Sequence, residues 1–257
     1  DVDFPVTDVL LGIDAALNRL EDDPDLWVGV LTGTRSVFCA GTDMRAGVHT
    51  TERGGQYGII RRHRTKPLIA AVEGAALGGG FEVVLSCDLV VASKTAEFGL
   101  PEVKRSLVPI CGGLFRAPKA LPRNVARELL LTGDSIDAKR AHRLGLANLV
   151  CAPGEALDEA VALADRICRN GPVAVRETMR FLASLDAPAT IAGFEMLDYN
   201  AKRRDKYVVT DDRVIGVVLG GKARAYPLQL MNVHEVVNDT LAGVPIGVKD
   251  LEDCAGL

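Results

Sequence analysis

Short apolar runs alternate along this chain with stretches whose apolar residues recur every three or four positions, the pattern of buried strands separated by amphipathic helices. Over residues 9–20, Leu10, Ile13, Leu17 and Leu20 share one helical face, and Glu21-Asp22-Asp23-Pro24 stops it. Residues 26–32 read as a buried strand ending at Gly33, 37–44 as a loop, and 50–64 as a mostly polar helix. The centre of the chain is a compact unit: a strand at 67–72, a turn of three glycines at 78–80, a helix-like stretch at 81–87 and a strand at 88–93. Residues 97–102 are a short strand running into a helix that Pro101 starts.

Further on, 109–113 is a second glycine turn ahead of an apolar helix, and 122–131 is helical. A short helix at 137–144 takes its cap from Asp134 or Ser135, and 147–151 is a strand. Amphipathic helices at 156–169 and 172–184 follow, with a third from about Ala189 into the charged stretch 202–206. The texture then changes. Residues 213–222 carry a hairpin signal, an apolar strand followed by Gly220-Gly221, with 223–230 as the partner strand. These elements predict an α/β domain over 1–206, its core running to about 151 and its helical part over 152–206, followed by a small β-rich tail over 207–257.

Composition narrows the function. The 257 residues carry a net charge of −4, which gives no electrostatic reason to expect nucleic acid or an anionic membrane surface. No apolar run approaches the ~20 residues of a membrane span. The six cysteines (Cys39, Cys87, Cys111, Cys151, Cys168 and Cys254) lack paired or zinc-like spacing, so reduced thiols, a cytoplasmic setting and no metal are expected. His49, His63 and His142 have no metal-like spacing either, and His234-Glu235 is an isolated pair. No G-x-G-x-x-G follows a strand and no G-x-S-x-G occurs, which argues against a nicotinamide site and a serine hydrolase.

What remains is the glycine turn at 78–80. Glycines let a backbone approach a ligand closely, and a helix start carries roughly half a positive charge, so such a turn suits an oxygen that becomes negative during a reaction. Taken alone, Glu82 in the first turn after the glycines and Glu102 just after Pro101 each read as a helix-start acid. The basic residues Arg61, Arg62, Arg64 and Lys66 are either a solvated face or an approach to a phosphate-bearing ligand.

Three motifs, in order, resemble the crotonase superfamily and specifically enoyl-CoA hydratases: Phe38-Cys39-Ala40-Gly41-Thr42-Asp43, Gly74-Ala75-Ala76-Leu77-Gly78-Gly79-Gly80-Phe81-Glu82 and Phe98-Gly99-Leu100-Pro101-Glu102-Val103. Leu131-Thr132-Gly133 and Gly145-Leu146-Ala147 add to a resemblance that runs from about residue 6 to 206. It implies a spiral of strand–strand–helix turns closed by C-terminal helices, and addition of water to a 2-enoyl-CoA. Double-bond isomerisation, another crotonase-type reaction, and a non-catalytic acyl-CoA-binding or assembly remnant are the alternatives. By motif position the backbone N–H groups of Thr42 and Gly79 would form the oxyanion hole, and Glu82 and Glu102 would be catalytic. Ala40, Gly41, Asp43, Gly78, Gly80, Pro101 and Gly112 would line the substrate. No cofactor is implied beyond the coenzyme A of the substrate itself, and a homotrimer or hexamer is the implied assembly. The family's N-terminal strands have no counterpart before Asp1, and its C-terminal basic residue has none after Lys206, so a truncated form is expected. In the tail, Arg224-Ala225-Tyr226-Pro227, Asn232, His234-Glu235 and Asn238-Asp239 resemble part of an uncharacterised bacterial domain family.

Overall fold

The apolar runs sort into two sheets because the chain visits them alternately. A computed structural model describes residues 6–42, 50–186, 206–210, 213–217 and 230–232. The chain divides into two compact units, 1–185 and 186–257. In the first, helix α1 (Val6–Asp22) precedes β1 (Gly29–Thr32) and β2 (Val37–Cys39). The small hairpin of β3 (Thr50–Thr51) and β4 (Gly55–Gln56) comes next, then β5 (Leu68–Val72), β6 (Ala75–Leu77) and helix α2 (Gly79–Val84). Strands β7 (Leu89–Ser93) and β8 (Glu97–Gly99) lead into a 3-10 helix, Pro101–Arg105. Helices α3 (Gly113–Ala120) and α4 (Arg123–Thr132), β9 (Ser135–Asp137), α5 (Ala138–Arg143), β10 (Leu149–Cys151), α6 (Ala156–Cys168) and α7 (Pro172–Asp186) complete the unit.

The first sheet runs β1-β5-β7-β10, all parallel, and the second β2-β6-β8-β9, with only β9 antiparallel. Each turn of the chain therefore gives one strand to each sheet: β1 then β2, β5 then β6, β7 then β8. This is the strand–strand–helix spiral that the resemblance implies. Strand β5 is buried on both faces, as an interior parallel strand requires. Leu68, Ala70 and Val72 enter the main core, while Ile69 and Ala71 face Ala156 and Ala160 of α6. Gly74 makes the turn from β5 to β6 at φ 61, where a Cβ would overlap the Ser36 carbonyl, so the turn admits only glycine.

Four expectations are corrected. Residues 50–64 are not a helix: Gly54, Gly55 and Gly58 break it, the last two at φ 66 and 70, and the segment folds as the β3–β4 hairpin followed by turns. Residues 37–39 are a strand rather than loop, because they pair with β6. Strand β6 itself sits between β5 and the glycine turn, too short and too alanine-rich to stand out in the pattern. Helix α5 is capped by Asp137, whose carboxylate accepts the Arg140 N–H at 2.6 Å, since Ser135 belongs to β9.

In the second unit, β11 (Lys206–Thr210), β12 (Arg213–Val217) and β13 (Leu230–Asn232) form an antiparallel sheet in that order. Strand β12 pairs with β11, Lys206 opposite Val217, and Ile215 lies opposite Leu230 at the end of the expected partner strand. Lys206, expected at the end of the helix from Ala189, instead begins β11; the rest of that helix and the Gly220-Gly221 turn fall outside the described residues, as do His49, His234 and Glu235.

Candidate active site

The three sequence motifs converge because β2, β6 and β8 are neighbours in the second sheet and all end on the same side. Leu77 ends β6, and Gly78 turns the chain into α2 at φ 55 while its N–H donates to the Gly99 carbonyl of β8 at 2.9 Å. From the neighbouring β2, Gly41 (φ 97) comes so close that a Cβ on it would lie 3.1 Å from the Gly79 nitrogen. Gly80 is covered by the Cys39 carbonyl. Of the three glycines, Gly78 thus serves an unusual φ, Gly79 leaves room for the Tyr57 side chain, and Gly80 serves close backbone approach. Below them the Phe81 and Phe98 rings pack at 5.6 Å between centroids and 53° tilt, tying α2 to β8; such a pair adds about 1 kcal/mol beyond its burial.

Glu82, one turn into α2, is 2 % exposed, and its Oε1 accepts the Gly113 N–H at 2.9 Å. Gly112, at φ 112, places that N–H at the start of α3. Burial pushes the Glu82 carboxyl up to about 7; the Gly113 N–H opposes this and the nearby Glu102 charge adds to it. Glu102 follows Pro101 in the 3-10 helix, where proline costs no hydrogen bond. Its Oε1 lies against Gly78, 3.3 Å from where a Cβ would stand. Its Oε2 is buried and, among the described residues, has no hydrogen-bond partner. Burial raises its pKa too, against its own backbone N–H and Arg105. Cys111, buried beside this pair, has its thiol pushed up by burial and by both carboxylates. Two carboxyls that burial shifts upward, beside a paired glycine turn, can exchange protons with a bound molecule.

Thr42 follows Gly41, and its hydroxyl is hydrogen-bonded to that of Tyr57. Ala40 is exposed in the same loop, and Asp43 lies outside the described residues. Tyr57 ends the stretch 50–57 that the resemblance implies as a pocket wall, but the sequence has no signature that marks the residue itself. It holds φ 54, a conformation that costs a bulky residue of order 1–3 kcal/mol, and its ring and hydroxyl fill the space beside Gly79. The glycine density of 54–58 was the available signal. The Gly113 N–H on Glu82 was legible only as a glycine turn.

Both readings of the basic residues are corrected for three of the four. Arg62, buried, is paired with Asp14 and donates to Asn18 Oδ1 at 2.7 Å. Arg64 bridges Asp88 and the Ser86 carbonyl, the latter at 2.7 Å. Lys66, 3 % exposed, donates from Nζ to the carbonyls of Leu20 at 2.7 Å and Asp23 at 2.6 Å, closing the end of α1. Arg62 and Lys66 tie α1 to the core, and Arg64 ties residues 86 and 88 between α2 and β7. No group of three or more His, Cys, Asp or Glu suited to a metal occurs among the described residues, and no helix there is long and apolar enough to cross a membrane.

The family described as enoyl-CoA hydratase/isomerase matches residues 8–219. A mevalonyl-coenzyme A hydratase from Aspergillus fumigatus is 41% identical over 186 residues, covering 68% of this chain and 69% of that protein. A carnitinyl-CoA dehydratase from Proteus mirabilis is 41% identical over 165 residues, covering 61% of this chain and 63% of the relative. The matches thus span about two thirds of the length of these relatives. Among solved structures, an enoyl-CoA hydratase from Mycobacterium marinum superposes with a TM-score of 0.65 at 48% identity, over 68% of this chain and 71% of that one.

Proposed function

This chain belongs to the enoyl-CoA hydratase/isomerase family, and on that premise we propose that it adds water across the double bond of a 2-enoyl-CoA thioester. The observation that carries the proposal is the pair of carboxyls, buried Glu82 anchored by Gly113 and half-buried Glu102 with its buried Oε2 unpaired among the described residues, beside the junction of Gly41 and Gly79. The Thr42 and Gly79 N–H groups hold the thioester oxygen as it becomes an enolate; losing one such donor typically costs about 10²–10³ in rate. Glu82, with a pKa of about 7, takes a proton from water as the water oxygen bonds to C3. Glu102, whose carboxyl burial shifts upward, acts from its protonated form and gives that proton to C2 as the enolate collapses. The proton on Glu82 then returns to Glu102 or to solvent, and the reverse sequence is dehydration. Ala40, Gly41, Asp43, Gly78, Gly80, Pro101 and Gly112 line the substrate in this scheme, and coenzyme A enters only as part of the substrate.

Relatives named for mevalonyl- and carnitinyl-CoA share the acyl-CoA thioester and differ in the acyl group, which supports the reaction class over any one substrate. A homotrimer or hexamer in the cytoplasm belongs to the same proposal; exposed Val173, Phe181 and Leu182 on α7 offer apolar surface for subunit contact, and light scattering measures the outcome. The test of the chemistry is hydration of crotonyl-CoA, followed as loss of the conjugated thioester absorbance. Wild type turns over, and Glu82→Gln and Glu102→Gln each lose at least about 10²-fold in kcat. Full activity in either variant overturns the assignment of roles, and a wild type that binds CoA thioesters yet hydrates none redirects the search to double-bond isomerisation.

A further inference from the structure

Tyr57 belongs to none of the three motifs, yet the fold carries it to the place where two of them meet. It follows β4 and precedes Gly58, and its left-handed backbone (φ 54) is one that glycine adopts freely and an aromatic residue does not. Something must hold it there. Its hydroxyl is bonded to Thr42 Oγ1, and its ring edge lies against Gly79, where a Cβ would meet Oη, Cζ and Cε2, the last at 3.0 Å. One phenol thus touches both residues whose backbone N–H groups are assigned to the thioester oxygen. Burial, together with Cys111, Glu82 and Cys39 nearby, keeps the phenol protonated, so it is a neutral hydroxyl wherever Glu82 works.

The geometry of such a site has narrow tolerances. Donors act on a developing oxyanion only when held within about 0.5 Å of their working position. On one side Gly41 is pressed against the Gly79 nitrogen. On the other, the Thr42 side chain is tethered to a ring that itself rests on Gly79. We propose that Tyr57 is a positioning residue: its hydroxyl bond to Thr42 and its seat on Gly79 fix the spacing of the two N–H donors, and the β3–β4 hairpin delivers it in a strained conformation for that purpose. The proposal rests on the hydratase reading for the identity of the donors.

Tyr57→Phe keeps the ring and removes the hydroxyl; Thr42→Val removes the partner. Two readouts serve besides melting temperature: kinetics with crotonyl-CoA, and the red shift of dimethylaminocinnamoyl-CoA on binding, which reports how strongly the donors polarise its carbonyl. Each single variant is expected to lose on the order of 10–100-fold in kcat with KM within about twofold, because misplacement by an ångström is felt in the transition state. Their double variant loses no more than either alone, as members of one interaction do, and the red shift shrinks in all three. Thr42→Ser, which keeps a hydroxyl, recovers more of the rate and the red shift than Thr42→Val does. If Tyr57→Phe retains the red shift and kcat and changes only the melting temperature, the bond is a stability contact and the proposal is overturned. Additive losses in the double variant overturn it as well. A wild type that neither hydrates crotonyl-CoA nor shifts the chromophore defeats the reading of the site itself, and this proposal with it.

Discussion

Replacing Glu82 by glutamine should cost activity and gain stability, and the gain should depend on pH in a calculable way. In the folded chain the carboxyl titrates at about 7, raised chiefly by burial, against 4.5 when unfolded. Between those two pH values the folded state holds a proton that the unfolded state has released. Stability from this group is therefore full below about 4.5 and is lost as pH rises through 7. The gap between the two pKa values corresponds to about 3 kcal/mol. Between about pH 5 and pH 8 the difference in unfolding free energy between wild type and Glu82→Gln should open by about 2.5 kcal/mol in favour of the variant. Glutamine can still accept the Gly113 N–H, so its effect on packing is a constant offset, and the subtraction removes the titrating groups that Glu82 does not influence. Urea unfolding at several pH values reads this directly: with a slope of about 1–3 kcal/mol per M, the variant's midpoint gains on that of wild type by about 1 M or more. A difference that stays flat across this range would refute the desolvation argument and show Glu82 ionised in the folded chain from the ordinary carboxylate range upward.

Glu102→Gln removes a charge that helps hold the Glu82 proton, so the Glu82 titration, followed by NMR of a labelled carboxyl, should move below 7; an unchanged or higher value contradicts the coupling. Lys66→Met deletes two charged hydrogen bonds at the end of α1 and should cost about 2–3 kcal/mol in denaturant unfolding with an unchanged KM for acyl-CoA; the opposite pattern would make Lys66 a phosphate ligand. Gly80→Ala sets a methyl against the Cys39 carbonyl, which backbone cannot yield, and should cost about 3 kcal/mol, a fall of roughly 6–12 °C in Tm. Gly12→Ala, in the middle of α1 with open space around its Cβ, should instead stabilise by about 0.5–1 kcal/mol.

Local pattern was enough for what depends on contiguous residues. The long helices α1, α6 and α7 were legible as apolar stripes, β5 and β7 as short apolar runs, and Glu82 and Glu102 as acids after glycine and proline turns. The motifs also named the family. Short elements were not legible, because nothing within three residues distinguishes β2 or β6 from loop; they are strands because neighbours supply their hydrogen bonds. The basic residues show the same limit. Sequence gives their charge, but only the position of Asp14, Asp88 and the end of α1 makes Arg62, Arg64 and Lys66 internal ties instead of free cations. Tertiary structure alone decided the pKa of Glu82, since burial and the Gly113 N–H act through space across 31 positions of chain. It decided as well that Tyr57, which glycines on either side remove from any helix, should meet Thr42 and Gly79. The chain's local chemistry determines which groups are available; the sheet order determines which of them share a site, because strands adjacent in a parallel sheet are separated in sequence by a whole crossover.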